Sequence, residues 1–310
     1  MREAHERAMN KAISVFNASA FGAGSARSKF EKLLQTTLRK RFEDEHSEIL
    51  DDWDSRKTIT YSTNPPVTAR QAKSEASTDL DKIGGLVPVI QDLNNANEEI
   101  RTTSSWILGT ASENNALVQS HILGYGALAR LVKMGYSTSA KEAAKAMYAI
   151  SALIRNNVNG QEAFALENGN AMLQHILGSN SVDVGLQKKA VFLLTDLADF
   201  QLNSGNSGLT FLSERFLLKS VTDMLSEFDL DLQEKVLLAI RSLLKLPSTD
   251  ARDFKSCGLD SVLYRLGVQL EELPSEEQKE YAREVDALRR EVLMFFEQKL
   301  KPGTAAAAVS

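Results

Sequence analysis

The chain has 310 residues, 43% hydrophobic and 25% charged, with 6 prolines, 17 glycines and 7% aromatics; this favours long helices over a turn-rich sandwich or barrel. Lys and Arg total 36 against 41 Asp and Glu, a formal net charge of −5, so no basic excess is available to neutralise a phosphate backbone and nucleic acid is not an expected partner. The single cysteine, Cys257, excludes an intramolecular disulfide and any cysteine-based zinc cluster.

Residues 1–50 read as a loosely anchored N-terminal helical segment. Phe30, Leu33, Leu34 and Leu38 recur at helical spacing beside the mixed charge run Arg39, Lys40, Arg41, Glu43, Asp44 and Glu45, a solvated face. The apolar stretch over 12–23 is broken by Ser14, Asn17 and Ser19, so neither a signal peptide nor a spanning helix is expected. The chain as written therefore reads as cytoplasmic, with no membrane partner. Asn17-Ala18-Ser19 fits a glycosylation sequon, which matters only in a secreted chain. Residues 51–79 lose the periodicity, are rich in Ser and Thr, and carry Pro65-Pro66, as a polar linker or flexible arm does.

From Leu80 one pattern returns. Gly85-Leu86-Val87-Pro88 opens a helix; similar openings follow at Gly126-Ala127-Leu128, Gly169-Asn170-Ala171 and Gly258-Leu259-Asp260, with a copy lacking the glycine at Leu218-Lys219-Ser220. The helices between them repeat as well. Ser105-Trp106-Ile107-Leu108 aligns with Met147-Tyr148-Ala149-Ile150, then with Val191-Phe192-Leu193-Leu194 and Leu237-Leu238-Ala239-Ile240. Helical units recurring every ~40–47 residues are the mark of armadillo or HEAT repeats. Each unit cannot bury its apolar stripe alone, and stacked neighbours share one core.

The fold predicted is all-α, an armadillo-like solenoid of about four repeats over 80–270 with helical caps. The glycines supply a positive φ between helices or the room for a close crossing. Residues 203–208 read as a surface loop lengthening the third repeat. Residues 271–300 form a C-terminal capping helix whose apolar stripe is Leu288, Val292, Phe295 and Phe296, and 301–310 a disordered tail. Trp106, Tyr148 and Phe192, equivalent in the repeats, are expected in the core.

Chemistry is sparse. Gly124-Tyr125-Gly126 with Ala129 nominally fits a dinucleotide fingerprint but follows a helix, not a strand. His5, His46, His121 and His175 are scattered at no metal-ligand spacing. Cys257 reads as a buried structural thiol. No catalytic residue, metal or other cofactor is expected, and a helical solenoid offers a groove for another macromolecule in place of a closed pocket.

Three strings carry a more specific likeness: Ile107-Leu108-Gly109-Thr110-Ala111 with Asn114-Asn115; Ala149-Ile150-Ser151-Ala152-Leu153-Ile154-Arg155-Asn156; and Lys188-Lys189-Ala190-Val191-Phe192-Leu193-Leu194-Thr195-Asp196-Leu197. In this order they resemble the armadillo-type nucleotide exchange factors of 70-kDa heat-shock chaperones, the family of the heat-shock-protein-binding proteins and the ER-luminal Sil-type co-chaperones. The short Leu-Leu-Lys-Trp-Ser-type helix of the cytosolic branch is missing from 1–79. The pairing of Ile83-Gly84-Gly85-Leu86 with Leu194-Thr195-Asp196-Leu197 is closer to the ER branch, so the ER lumen is the alternative compartment if the native N-terminus carries a signal.

The resemblance implies a curved solenoid that grips the chaperone's ATPase domain, of a cytosolic form or of ER-luminal BiP, and speeds ADP release without bond chemistry of its own. A capped monomer is the expected state. The last helix of each repeat would line the groove. Lys189 aligns with a basic contact position of the family; Arg101 and Lys145 follow from repeat geometry; Arg155, Asn115 and Asn157 end the matching helices. Beside each stands a plainer reading, a solvated charge or, for the asparagines, a left-handed helix C-cap. A different class remains open: an adaptor holding a peptide or signalling partner in the groove. The resemblance also offers the polar stretch at 55–78 as an arm competing for the chaperone's peptide site, beside the plainer reading of a linker.

Overall fold

The computed structural model describes residues 77–78, 80–82, 84–179, 181–205, 208–272 and 276–301. The expected N-terminal segment, nearly all of the polar arm and the tail beyond Lys301 lie outside them. Among the described residues the chain forms α-helices, with helical residues already at 77–78 and 80–82, and two 3-10 turns, with no strand.

The helices recur in triplets, two shorter helices followed by a long one. The first medium and long helices are α1 (Leu86–Gln91) and α2 (Glu98–Ser112). Complete triplets are α3 (Ala116–Gly124), α4 (Ala127–Met134) and α5 (Ala140–Ile154), then α6 (Val158–Leu166), α7 (Gly169–Gly178) and α8 (Val184–Ser204). A 3-10 turn at Thr210–Ser213 replaces the next short helix before α9 (Arg215–Met224) and α10 (Leu230–Lys245). The series closes with α11 (Ala251–Ser256), α12 (Leu259–Glu271) and α13 (Glu276–Leu300). The all-helical repeat reading is borne out.

Two compact units divide the chain. Of the described residues, the first holds those from 77 to Leu131 together with Tyr148–Leu153. Its core contains Leu86, Ile90, Ile100, Leu108, Val118, Ile122, Leu131 and Leu153, all buried. Side chains tie its helices: Gln119 Nε2 donates to the Ala152 carbonyl at 2.8 Å, and Arg130 Nη1 to that of Ile90 at 2.8 Å. His121, exposed as expected, meets Asp81 at 2.5 Å.

The second unit holds Val132–Met147 and Ile154–Ser310. There α8 packs on α7 and α10, α9 on α7, α10 and α11, and α13 on α10 and α12. Fully buried Phe164, Phe254 and Phe296 anchor these contacts, and Val292 and Val285 join Phe296 on the inner face of α13. Truncating any one of the three phenylalanines to Ala costs about 3–5 kcal/mol. Lys299 Nζ donates to the carbonyls of Leu244 and Leu246, each at 2.6 Å, satisfying the end of α10 from α13. Cys257 is buried, its Sγ 3.8 Å from the Arg215 carbonyl.

The connections follow from short polar residues. Asp183 accepts from the Leu186 N–H at 3.1 Å and Asp229 from that of Leu232 at 2.8 Å, each filling an orphan donor of α8 or α10. The repeat glycines divide their two roles. Gly126 and Gly258 take φ of 70° and 81°, whereas Gly169 has helical backbone and is needed for room, since a Cβ there would strike the Phe164 ring. The segment expected as a loop from 203 is instead helical to Ser204, with Gly205 closing α8 at φ 65°; residues 206–207 lie outside the description.

Candidate functional site

The repeat alignment sets Trp106, Tyr148, Phe192 and Leu238 at one position of the long helices. It sets Glu113, Arg155, Asp199 and Lys245 at another, seven residues on. These two positions meet across adjacent repeats. In the first unit the Tyr148 hydroxyl donates to Glu113, and burial followed by that bond pushes the phenol pKa far above its ordinary value. In the second unit the Arg155 guanidinium carbon lies 5.5 Å from the centre of the Phe192 ring, within cation–π range. Arg155 Nη2 also reaches Asp196 Oδ2 at 2.5 Å. At α13 the Lys245 ammonium sits 5.1 Å from the Phe295 ring.

The series breaks once. Leu238 takes the place of an aromatic opposite Asp199, and Asp199 forms no hydrogen bond or ion pair among the described residues. The Asn-Asn step that ends α2 and α5 is also missing there, so α8 runs on past Asp199. Its extra turns form one wall of an open cleft of 490 Å³, contributed by Leu193, Asp196, Leu197, Asp199, Phe200, Asn203 and Ser204; Ile154, Arg155, Asn156 and Gln161 form the other. Burial, then the charge of Asp199, raises the Asp196 pKa against the pull of Arg155.

The opposite end of α8 is basic. Burial and then the charges of Lys189 and Lys141 lower the Lys145 pKa, which places three lysines in one neighbourhood. Lys189 is exposed and makes no hydrogen bond or ion pair among the described residues. Its neighbour Lys188 is held by Asp229 at 2.9 Å and Asp231 at 2.8 Å. From Lys189 to Asp199, ten residues of α8, the exposed charge changes from positive to negative over about 15 Å of axial rise.

Of the six residues singled out in the sequence, Lys189 and Lys145 therefore come together, and Arg155 stands on the same unit beside the cleft. Arg101 turns back onto the carbonyls of Asn95 at 2.8 Å and Ala96 at 3.0 Å, in the loop before its own helix. Asn115 and Asn157 correct the plainer reading. They are N-caps of the following helices, accepting from Val118 N–H at 3.2 Å and Gly160 N–H at 3.0 Å, while Asn114 and Asn156 take the left-handed conformation at φ 54° and 53°. Phe192 corrects the core expectation, since half of it is exposed, and Trp106 and Tyr148 are only half-buried. The sequence reading missed Lys141, Phe192 and Asp199 as surface features. The seven-residue pairing of aromatic and charged positions was the available signal.

Among the described residues, no group of His, Cys, Asp or Glu is placed to hold a metal ion, and no helix is long and apolar enough to cross a membrane.

Residues 76–211 match the family described as the SIL1/FES1/HPBP1 C-terminal domain, in line with the resemblance of the three strings. An Hsp70 nucleotide exchange factor FES1 of Mycosarcoma maydis is 34% identical over 110 residues, 36% of this chain and 28% of the relative. A nucleotide exchange factor SIL1 of Xenopus laevis is 26% identical over 233 residues, 68% of this chain and 50% of the relative. The chain thus spans half or less of the length of these two relatives. Among solved structures, a designed armadillo repeat protein in complex with the peptide (KR)4 superposes with a TM-score of 0.52 at 18% identity, covering 71% of this chain and 86% of that one. Computationally designed armadillo repeat proteins for modular peptide recognition give 0.53 at 18%, again over 71% and 86%. At that identity the likeness speaks for the fold alone.

Proposed function

We propose that this chain binds the ATPase domain of a 70-kDa heat-shock chaperone and accelerates the release of ADP from it. The observation that carries this reading is the match of residues 76–211 to the SIL1/FES1/HPBP1 C-terminal domain, supported by relatives whose names describe nucleotide exchange factors. The mechanism is linkage. A protein that binds the nucleotide-open form of the ATPase domain better than the closed form weakens ADP by that same factor. A coupling of about 1–3 kcal/mol corresponds to roughly 5–150-fold in affinity. The exchange factor contributes surface, and no residue of it makes or breaks a bond.

The contact face is the stripe on the long helices. Lys189, with Lys145 and Lys141 beside it, presents positive charge to an acidic patch of the partner, and charge of this kind speeds encounter and fixes orientation. Phe192 offers a half-exposed ring held by Arg155, the rigid aromatic with a polar rim that binding hot spots favour. Arg101, Asn115 and Asn157 bond the chain's own backbone at helix ends, a structural role that leaves them off the contact face.

A second reading, an adaptor that holds a basic peptide, draws on the carboxylates of the cleft and on the armadillo fold. Nucleotide release separates the two. A purified chaperone loaded with a fluorescent ADP analogue is mixed with the full chain, using a cytosolic and an ER-luminal chaperone in turn. Faster release supports exchange, and an unchanged rate from both supports the adaptor.

A further inference from the structure

The interrupted series of aromatic–charge pairs shows where a partner would complete the face. Resting on the exchange-factor reading, we propose that the cleft beside Asp199 seats one basic side chain, Arg or Lys, from the surface of the chaperone's ATPase domain. Elsewhere the residue at the Asp199 position is met from the next repeat: Glu113 by the Tyr148 hydroxyl, Arg155 by the Phe192 ring. At Asp199 the equivalent residue is Leu238, which offers neither a donor nor a ring.

Charge decides what fits. The cleft holds two carboxylates, Asp196 and Asp199, against one guanidinium, Arg155, whose ion pair is with Asp196. One negative charge is left over, and a cation offsets it. The 490 Å³ of space takes a long side chain without rearrangement. Phe200 among the lining residues is apolar enough to pack a methylene stem, and Asn156 and Asn203, which line the same cleft, are residues able to accept from the remaining N–H groups. Because Arg155 both lines the cleft and stacks on Phe192, the seat and the aromatic anchor are one preorganised unit. This negative seat lies farther along α8 from Lys189, about 15 Å in axial rise, so a partner that meets both carries an acidic and a basic site, which sets one docking direction.

The test uses the full chain and a purified chaperone ATPase domain, with affinity from calorimetry and ADP release followed in parallel. Asp199→Asn is expected to weaken binding about threefold to tenfold and Asp199→Lys about tenfold or more. Asp260→Lys, an equal charge change at an exposed site on α12, is expected to stay within about twofold. Helicity remains unchanged in all three, and the melting temperature of Asp260→Lys falls slightly because Asp260 stands in the first turn of α12. If Asp199→Lys behaves like Asp260→Lys while the wild type still accelerates release, the seat is wrong and the exchange reading stands. If Asp199→Lys or Asp199→Asn tightens binding, the cleft meets an acidic or uncharged group and the proposal is overturned. A wild-type chain that neither binds the ATPase domain nor accelerates release removes the exchange reading, and the seat with it.

Discussion

Lys189 is exposed and carries no partner among the described residues, whereas Lys188 next to it is bound to two aspartates. Two adjacent lysines on one helix thus have different work, and only the first is available to another protein. Lys189→Glu is expected to weaken binding to the chaperone ATPase domain about tenfold or more, with the melting temperature unchanged; titration calorimetry beside a thermal melt checks both. Asn157 makes the opposite case. Its side chain caps α6, so Asn157→Ala should lower stability by about 1 kcal/mol and leave partner affinity where it was. A loss of affinity at unchanged stability would move Asn157 back to the contact face. Helical spacing showed which residues share a side of a helix, but it does not distinguish a core aromatic from one at the edge of a face. For that reason Phe192 looked buried in the sequence and is half exposed in the structure. The paired asparagines were visible too, but their order was not: the first takes the left-handed turn and the second caps the next helix.

At the level of elements, the contact of α8 with α10 depends partly on charge. Burial works against the Lys188 ammonium, yet its bonds to Asp231 and Asp229 outweigh that and raise its pKa. The bond from Lys188 holds Asp231 below the ordinary carboxylate value of 3.8; at Asp229 burial pushes upward but Lys188 and the Leu232 amide prevail. The depressed carboxylates contribute stability above their unfolded pKa and lose it as pH falls through the folded values. The raised ammonium contributes below its unfolded 10.5 and loses it as pH climbs through the folded value. Lys188→Met should therefore lower the melting temperature at neutral pH, by no more than about 2–4 °C because the group is partly solvated. The gap to wild type should narrow as pH falls below the ordinary carboxylate value of 3.8 through the lowered folded values, and again as pH climbs past 10.5 through the raised ammonium value. Thermal melts across that range check it, and a gap independent of pH would mean that packing of the lysine stem carries the effect. The length of α8 is the feature the sequence concealed. Its glycines and serines at 203–208 suggested a loop, but the helix continues to Ser204 and thereby builds the cleft wall.

For the molecule as a whole, the repeat was legible because its cause is repeated: each helical triplet needs the same turn and the same apolar stripe to cover its neighbour. The boundaries of the repeats could be read from Gly85, Gly126, Gly169 and Gly258, although only Gly126 and Gly258 among them use a positive φ. The cleft was less legible, because it lies where the repeat fails, at Asp199, and a failed repeat is what alignment by period discounts. The central claim is that this chain acts on a chaperone's nucleotide and performs no chemistry itself. It is tested most directly by stopped-flow release of a fluorescent ADP analogue from a purified 70-kDa chaperone, with the full chain and with Lys189→Glu. Release that accelerates and saturates with wild-type concentration, and returns toward the basal rate with Lys189→Glu, is the expected result. An unchanged release rate at saturating concentrations of a folded, helical wild-type chain, from both cytosolic and ER-luminal chaperones, would contradict it.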